Sequence, residues 1–201
     1  PKANDVRMAY AKLLVSQKRH AEAKPEFVKL VESSKSNPEV AAVVGLLSLE
    51  SSDFLMADKY LQQAIASGFK DPEQLYGYLG RSAERQKNDT KALEWYDKIQ
   101  SGDHFFEGRV SAANVIARTV NVDAAIKMLD EVDNLTPEQQ MSVIQIEANL
   151  LSQAKRHQES FDLMDKAVQN WPESNELLYD FAMAAERVGK YDLMETALYK
   201  L

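Results

Sequence analysis

A small residue returns about every 34 residues along this chain, and this period limits the possible folds more than any other feature. The successive small residues are spaced by 34, 35, 33, 35 and 34 positions and are Ala11, Gly45, Gly80, Ala113, Ala148 and Ala182. A repeat of roughly 20 to 50 residues predicts an array of similar units, because each unit must stack on its neighbours to bury a core.

Three further columns follow the small-residue column at fixed offsets of 12, 16 and 19 positions. Column 12 holds Ala23, Ala57, Ala92, Ala125, Ser160 and Met194. Column 16 holds the large apolar residues Phe27, Leu61, Tyr96, Leu129, Met164 and Leu198. Column 19 holds Leu30, Ala64, Ile99, Val132, Ala167 and Leu201. Four columns of matched size predict six similar units, in which small residues on one helix receive large residues from another.

The clearest unit runs from Tyr76 to Ile99 and reads as two short helices folded against each other. The turn between them is supplied by residues 87–89, Lys-Asn-Asp. We call the first helix of each unit the A helix and the second the B helix. The predicted seam between the two helices consists of Leu79, Gly80, Ala83, Ala92, Tyr96 and Ile99.

This unit resembles a tetratricopeptide repeat, with a large residue and then Leu-Gly in the A helix, and alanine and an aromatic in the B helix. The resemblance implies an all-α fold, a right-handed α-solenoid of six repeats in a single domain spanning residues 1–201. We place the repeats at 5–36, 37–70, 71–103, 104–135, 136–172 and 173–201. The segments RMAYAKLLVSQKRHAEA and LLYDFAMAAERVGKYDLME are most similar to tetratricopeptide proteins of Gram-negative bacteria.

Two residues depart from the repeat pattern. Gly108 lies inside an A helix, so the fourth copy is where we expect an irregularity. Glu147 stands directly before its small residue, in a position that is apolar in the other copies. Burying an unpaired charge is costly, so either this helix is slightly rotated or the carboxylate reaches an edge.

Composition excludes several classes of function. The chain has no cysteine and therefore no disulfide, thiolate metal site or cysteine nucleophile. Its net charge of -7 disfavours nucleic acid as a partner, because the phosphate backbone is bound by basic surfaces. No apolar run approaches the roughly 20 residues of a transmembrane helix.

The sequence carries no recognisable catalytic or cofactor motif. His20 and His157 share a column with apolar residues, which favours packing, and His104 has no acidic neighbour at ligand spacing. Trp95 and Trp171 are predicted to pack within and between repeats. We therefore expect a chain that is not an enzyme and has no cofactor or metal.

Candidate binding residues lie on the A helices, one position and five positions after the small residue. These positions are one helical turn apart and share a face. In the middle copies they form a stripe of hydrogen-bond donors, which we call the donor stripe and extend to Gln145: Arg81, Arg85, Asn114, Arg118, Gln145, Asn149 and Gln153. The other copies hold Lys12, Ser16, Leu46, Glu50, Met183 and Arg187 there.

The donor stripe suits an extended peptide in the concave groove that the family uses. Asparagine and glutamine donate to and accept from a peptide backbone, and arginine binds a carboxylate through two hydrogen bonds. The alternative is a hydrated groove in which Glu84 and Glu107 neutralise the arginines. Two other functions stay open: an assembly module that self-associates through its convex face or terminal repeats, and the adaptor region of a larger enzyme.

The chain does not begin with methionine, and its last residue interrupts a helical pattern. We therefore expect it to be part of a longer protein. The bacterial resemblance suggests a periplasmic location, with the cytoplasm as the alternative.

Overall fold

The computed structural model describes residues 2–33 and 37–201, and every regular element within those ranges is an α-helix. The twelve helices of these ranges form six successive A and B pairs, so the predicted fold class of six helical repeats is confirmed. The predicted end of the first repeat at residue 36 lies outside the described residues. The chain divides into two compact units, residues 1–108 and 109–201, and the assignment of a single domain stays a prediction.

The first unit contains three complete helix pairs. Their bounds are α1 Lys2–Ser16, α2 His20–Ser33, α3 Pro38–Glu50, α4 Phe54–Ala66, α5 Pro72–Arg85 and α6 Asp89–Tyr96. The helix α7, Phe105–Thr119, begins in this unit. Each A helix packs on its own B helix, and α2 and α4 also pack on the A helix that follows them.

Close helix contact explains the small-residue column. A Cβ atom added to Gly80 would lie 2.3 Å from Tyr96 Cε1, and one added to Gly45 would lie 2.6 Å from Leu61 Cγ. Both distances are far below van der Waals contact, so only glycine fits where these large column 16 side chains cross the A helix. The seam predicted from Tyr76 to Ile99 is therefore confirmed, and its six residues are all buried.

The second unit contains the rest of α7 and five further helices. These are α8 Val122–Asp130, α9 Pro137–Gln153, α10 His157–Asn170, α11 Asn175–Arg187 and α12 Tyr191–Leu198. The helix α10 packs against both α9 and α11. Thr136 caps α9, because its hydroxyl accepts from the Gln139 backbone N–H while the Gln139 side chain accepts from the Thr136 N–H.

Turns between the A and B helices share one backbone feature. The residue seven positions after the small residue has a positive φ in five copies: Lys18, Ser52, Lys87, Lys155 and Gly189, with φ between 58° and 75°. The fourth copy has Val120 there, which does not adopt a positive φ. A β-branched side chain is strongly disfavoured in the left-handed region, so this turn must take another path. The turn of the fourth copy therefore differs from the other five, whereas the irregularity of the superhelix expected at this copy stays a prediction.

Gly108 has a packing role. A Cβ atom at this position would lie 3.0 Å from Ile99 Cδ1, so the glycine lets the column 19 residue that follows α6 approach. The tryptophan predictions are also confirmed. Trp95 stacks on Tyr76 with 5.9 Å between ring centroids, and Trp171 packs against the core of the second unit.

The core of the second unit accommodates a buried serine in column 12. The Ser160 hydroxyl donates a hydrogen bond of 2.8 Å to the Ala148 carbonyl oxygen on the facing helix. The side chain is 3% exposed, so this bond satisfies a hydroxyl that water cannot reach.

We expect Ser160→Ala to destabilise the chain by about 1 kcal/mol, because the interhelical hydrogen bond is lost while the small volume is kept. The measurement is urea unfolding followed by circular dichroism. Ser152→Ala in α9 serves as the control, since Ser152 is only half-buried. Equal effects of the two substitutions would contradict a role for the Ser160 hydroxyl.

Candidate functional site

The second unit carries a cavity of about 400 Å³ on its A helices, between α9 and α11. The floor comes partly from α10, which packs under both helices. The lining residues are Gln145, Ala148, Asn149, Ser160, Met164, Tyr179, Asp180, Met183, Ala184 and Arg187. This cavity, which we call the α9–α11 cavity, combines an apolar floor with polar walls.

One hydrogen bond joins the two walls. Gln145 Nε2 donates to Asp180 Oδ2 at 2.6 Å, and both side chains are half-buried. Because glutamine and aspartate come from A helices 35 residues apart, this bond fixes the spacing of α9 and α11 across the cavity. It also leaves the Gln145 carbonyl oxygen and the second Asp180 oxygen without a side-chain partner among the described residues.

Two further polar side chains remain available to a ligand. Asn149 and Arg187 are exposed, and neither makes a side-chain hydrogen bond or ion pair within residues 2–33 and 37–201. The floor beneath them contains Met164, which is 1% exposed, and the half-buried Met183. Methionine adapts its shape to an incoming apolar group, and the amide and guanidinium groups supply directed hydrogen bonds.

The donor stripe is distributed over the two units. In the second unit, Gln145 and Asn149 line the α9–α11 cavity, and Gln153 is exposed as the last residue of α9. Asn114 is exposed, and its Nδ2 donates to the Val110 carbonyl oxygen of its own helix at 3.0 Å. Arg118 is exposed in the last turn of α7. A role of these residues in peptide binding stays a prediction.

In the first unit, both arginines of the donor stripe make contacts within the chain. The Arg81 guanidinium lies 4.5 Å from the centroid of the Tyr78 ring. Arg85 Nη1 donates to the Leu49 carbonyl oxygen near the end of α3 at 3.4 Å. The Arg85 contact spans 36 residues and links neighbouring A helices, so this arginine has a structural task beside any contact with a ligand.

Sequence reasoning missed Asp180 and Tyr179. Asp180 lies three residues before Met183, so it belongs to the same helical face. Tyr179 lies three positions before the small residue Ala182, as Gln145 does before Ala148. Extending the stripe by one turn toward the start of α11 would have found both side chains.

Glu147 is buried beside the cavity wall. Its side chain is 7% exposed, and its Oε1 atom is buried without a hydrogen-bond partner among the described residues. The expectation that its carboxylate reaches an edge is therefore wrong. Burial raises the pKa of Glu147 to about 7, and the negative charge of Asp130 contributes in the same direction.

A second cavity, of about 370 Å³, lies on the A helices of the first unit. Met8, Lys12 and Val15 of α1 face Val40 and Val43 of α3 across it. Met8 and Lys12 stand in the repeat positions that Gln145 and Asn149 occupy in α9. The two cavities thus use equivalent positions, but the cavity of the first unit has a more apolar lining than the α9–α11 cavity.

Two of the three histidines, His20 and His104, contact a carboxylate of another repeat. His104 Nε2 lies 3.0 Å from Asp71 Oδ2, a partner 33 residues away that a search at ligand spacing did not reach. His20 Nδ1 lies 2.6 Å from Glu50 Oε2. Within residues 2–33 and 37–201, no three His, Cys, Asp or Glu side chains are grouped to hold a metal ion. In the described part of the chain, no helix has the length and apolar character needed to cross a membrane.

Comparison with known proteins places these helix pairs in context. The tetratricopeptide repeat family model matches residues 45–104. A TPR repeat-containing protein of Pseudomonas aeruginosa is 29% identical over 120 residues, which cover 60% of this chain and 20% of that protein. The chain therefore spans about a fifth of the length of this curated relative.

Solved structures share the fold at low sequence identity. A tetratricopeptide repeat protein from Parabacteroides merdae has a TM-score of 0.71 and 14% identity, over 100% of this chain and 79% of that one. YrrB, described as a TPR protein with an unusual peptide-binding site, has a TM-score of 0.62 and 17% identity, over 92% of this chain and 90% of that one. The family match over residues 45–104, the curated relative and the shared fold confirm the predicted resemblance to the tetratricopeptide repeat family.

Proposed function

We propose that this chain is a noncatalytic scaffold that binds an extended segment of another protein in the α9–α11 cavity. The observation that carries the proposal is the pair of available polar side chains, Asn149 and Arg187, above an apolar floor. A groove that only held water would not require polar side chains placed above an apolar floor. The tetratricopeptide fold agrees with a role in protein–protein interaction.

The chemistry of the cavity indicates what kind of segment fits. Asn149 can donate to and accept from one peptide unit of an extended chain. Arg187 can bind a carboxylate through two parallel hydrogen bonds. Met164 and Met183 provide a floor for an apolar side chain. The preferred segment therefore carries an acidic side chain close to an apolar one.

The joined pair of Gln145 and Asp180 supports this function in two ways. Their hydrogen bond holds α9 and α11 at a fixed spacing before a ligand arrives, which lowers the entropy lost on binding. The oxygen atoms left over on both side chains can accept from peptide N–H groups. The similar structure of YrrB is described as having an unusual peptide-binding site, which agrees with this use of the fold.

A selection from a phage-displayed library of random ten-residue peptides tests the proposal. We expect the chain to enrich peptides with an acidic residue near an apolar one. We further expect Asn149→Ala combined with Arg187→Ala to lower the affinity for a synthetic copy of an enriched peptide at least tenfold. The reason is that a charge-assisted hydrogen bond contributes about 1.5 to 3 kcal/mol. Isothermal titration calorimetry measures both affinities.

The matched control is Lys166→Ala combined with Gln169→Ala, which removes one charge and one amide from exposed positions on α10 that do not line the cavity. This control is expected to bind the peptide as the unchanged chain does. If no peptide is enriched, or if the cavity variant and the control bind equally, the proposal is wrong. Circular dichroism and melting temperature establish that both double variants fold.

A further inference from the structure

The wall of the α9–α11 cavity that α11 forms carries two opposite charges. Asp180 and Arg187 both line the cavity and are seven positions apart in this helix. Seven residues are nearly two helical turns, so the two residues share a face and lie about 10 Å apart along the helix axis. Met183 and Ala184 line the cavity between them. Along α11 the wall therefore presents an anion, an apolar stretch and a cation, in that order.

Neither charge is neutralised by the chain itself. Within residues 2–33 and 37–201, Asp180 and Arg187 make no ion pair, and the one hydrogen bond of Asp180 comes from the uncharged amide of Gln145. A carboxylate can accept about four hydrogen bonds, and those donated by cations are the strongest. The Asp180 carboxylate is therefore suited to a cationic group of a ligand.

Tyr179 adds an aromatic surface next to Asp180. Its side chain lines the same cavity and is 52% exposed, and its ring contacts no other ring or cation among the described residues. In the first unit, the Arg81 guanidinium lies 4.5 Å from the centroid of the Tyr78 ring, so an A-helix tyrosine of this chain already receives a cation. A basic side chain that reaches Asp180 can also lie against the Tyr179 ring, whose electron-rich face attracts it.

The separation of the two charges limits which segments can engage both. An extended chain advances about 3.3 Å per residue, and a polyproline II segment advances about 3.1 Å. A distance of about 10 Å therefore corresponds to about three residues. Polyproline II has about three residues per turn, so side chains three positions apart also point to the same side.

We infer, on the basis of the proposed function, that Asp180 and Tyr179 form a subsite for a basic side chain of the segment whose acidic side chain Arg187 binds. The recognised segment then carries a lysine or arginine three positions from an aspartate or glutamate, in either order, with an apolar side chain between them. The two charges position the segment along α11, with its basic side chain toward the start of the helix. The proposed function by itself requires neither the basic residue nor this spacing.

A set of synthetic ten-residue peptides tests the subsite. Each peptide has capped ends and carries one lysine and one glutamate at separations of two to six positions, in both orders, with leucine between them and glycine or serine elsewhere. Fluorescence polarisation measures their affinity for the whole chain. We expect the tightest binding at a separation of three. Replacing the lysine of that peptide by glutamine is expected to weaken binding about tenfold, because a charge-assisted hydrogen bond is lost.

Asp180→Asn distinguishes contact with the lysine from an effect on the cavity. Asparagine can still accept from Gln145, so the bond between α9 and α11 is kept. This variant is expected to bind the lysine peptide about tenfold more weakly and the glutamine peptide as the unchanged chain does. Asp162→Asn is the matched control, because Asp162 also accepts from a glutamine, Gln158 Nε2 at 2.7 Å, but lies on α10 and does not line the cavity. It should bind both peptides normally.

The outcomes separate this inference from the proposed function. If the lysine and glutamine peptides bind equally and both are weakened by Arg187→Ala, the basic subsite is wrong and the proposed function stands. Equal losses of affinity for both peptides in Asp180→Asn, or a best separation other than three, would also overturn the subsite. If no peptide binds, the proposed function and the subsite are both wrong. Melting temperatures verify that each variant is folded.

Discussion

Gly80→Ala is expected to destabilise the chain by about 1 to 2 kcal/mol, although alanine favours helices more than glycine does. The added Cβ atom would lie 2.3 Å from Tyr96 Cε1 and 2.6 Å from Tyr96 Cζ. Overpacking of this kind costs about 1 to 3 kcal/mol, and the gain in helix propensity offsets about 1 kcal/mol. The Tyr96 ring cannot move freely, because it is 2% exposed and its hydroxyl donates to Glu84.

Gly77→Ala in the same helix is the matched comparison. A Cβ atom at this position would lie 3.9 Å from Ile99 Cδ1, which is ordinary van der Waals contact. This substitution is therefore expected to stabilise the chain by up to about 1 kcal/mol through helix propensity alone. Urea unfolding is expected to give changes in the free energy of unfolding that have opposite signs for the two variants.

A double substitution tests whether Tyr96 is the cause. Three other copies place an alanine of the small-residue column opposite a non-aromatic column 16 residue, in the pairs Ala113 with Leu129, Ala148 with Met164 and Ala182 with Leu198. Gly80→Ala combined with Tyr96→Leu is expected to be more stable than the sum of the single effects predicts. Additive effects would show that the crowding of Gly80 by Tyr96 is not the source of the destabilisation.

Glu147→Leu is expected to stabilise the chain at about pH 8 by about 3 kcal/mol. The ordinary pKa of a glutamate is 4.5, and in the folded chain that of Glu147 is raised to about 7. A shift of this size corresponds to about 3 kcal/mol that is lost when the buried carboxyl ionises. Leucine has a similar volume and suits a repeat position that holds Val44, Leu79 and Phe181 in other copies.

The effect depends on pH in a defined direction. Because the folded chain holds the Glu147 proton more tightly than the unfolded chain, the stabilising effect of this group is complete below pH about 4.5. This contribution of Glu147 to stability is then lost as the pH rises through about 7. Thermal melts between about pH 5 and about pH 8 should therefore show a smaller loss of stability for Glu147→Leu than for the unchanged chain.

Glu138→Gln is the control within the same helix. The pKa of Glu138 is lowered from its usual value, chiefly by a hydrogen bond with its own backbone and also by one with Thr136. Glu138 therefore titrates below the pH range of the melts. The stability of this variant should decline with rising pH as that of the unchanged chain does. A Glu147→Leu curve parallel to the curve of the unchanged chain would show that Glu147 does not ionise in the folded state.

The repeat fold could be predicted from sequence because it depends on local spacing and residue size. The small-residue column and column 16 meet within one helix pair, so a constant offset in the sequence reports their contact. Caps and turns are similarly local, as the pairing of Thr136 with Gln139 shows. These features needed no knowledge of how neighbouring repeats are rotated.

Contacts between repeats could not be predicted from the spacing of residues in the sequence. The bond from Gln145 to Asp180 and the bond from Arg85 to Leu49 join residues 35 and 36 positions apart. Whether such side chains meet depends on how neighbouring A helices face each other, which the spacing of residues does not report. For the same reason the burial of Glu147 could not be predicted from its place in the repeat.

The positive-φ turns also determine where the chain can tolerate added length. Turns between A and B helices are only two or three residues long, and five of them require a left-handed residue at one register. Links from a B helix to the next A helix are longer, and residues 97–104 and 131–136 are two examples. A peptide tag or a site for a fluorescent label therefore belongs in the exposed part of such a link, for example at residues 101–103, where it leaves the helix pairs intact.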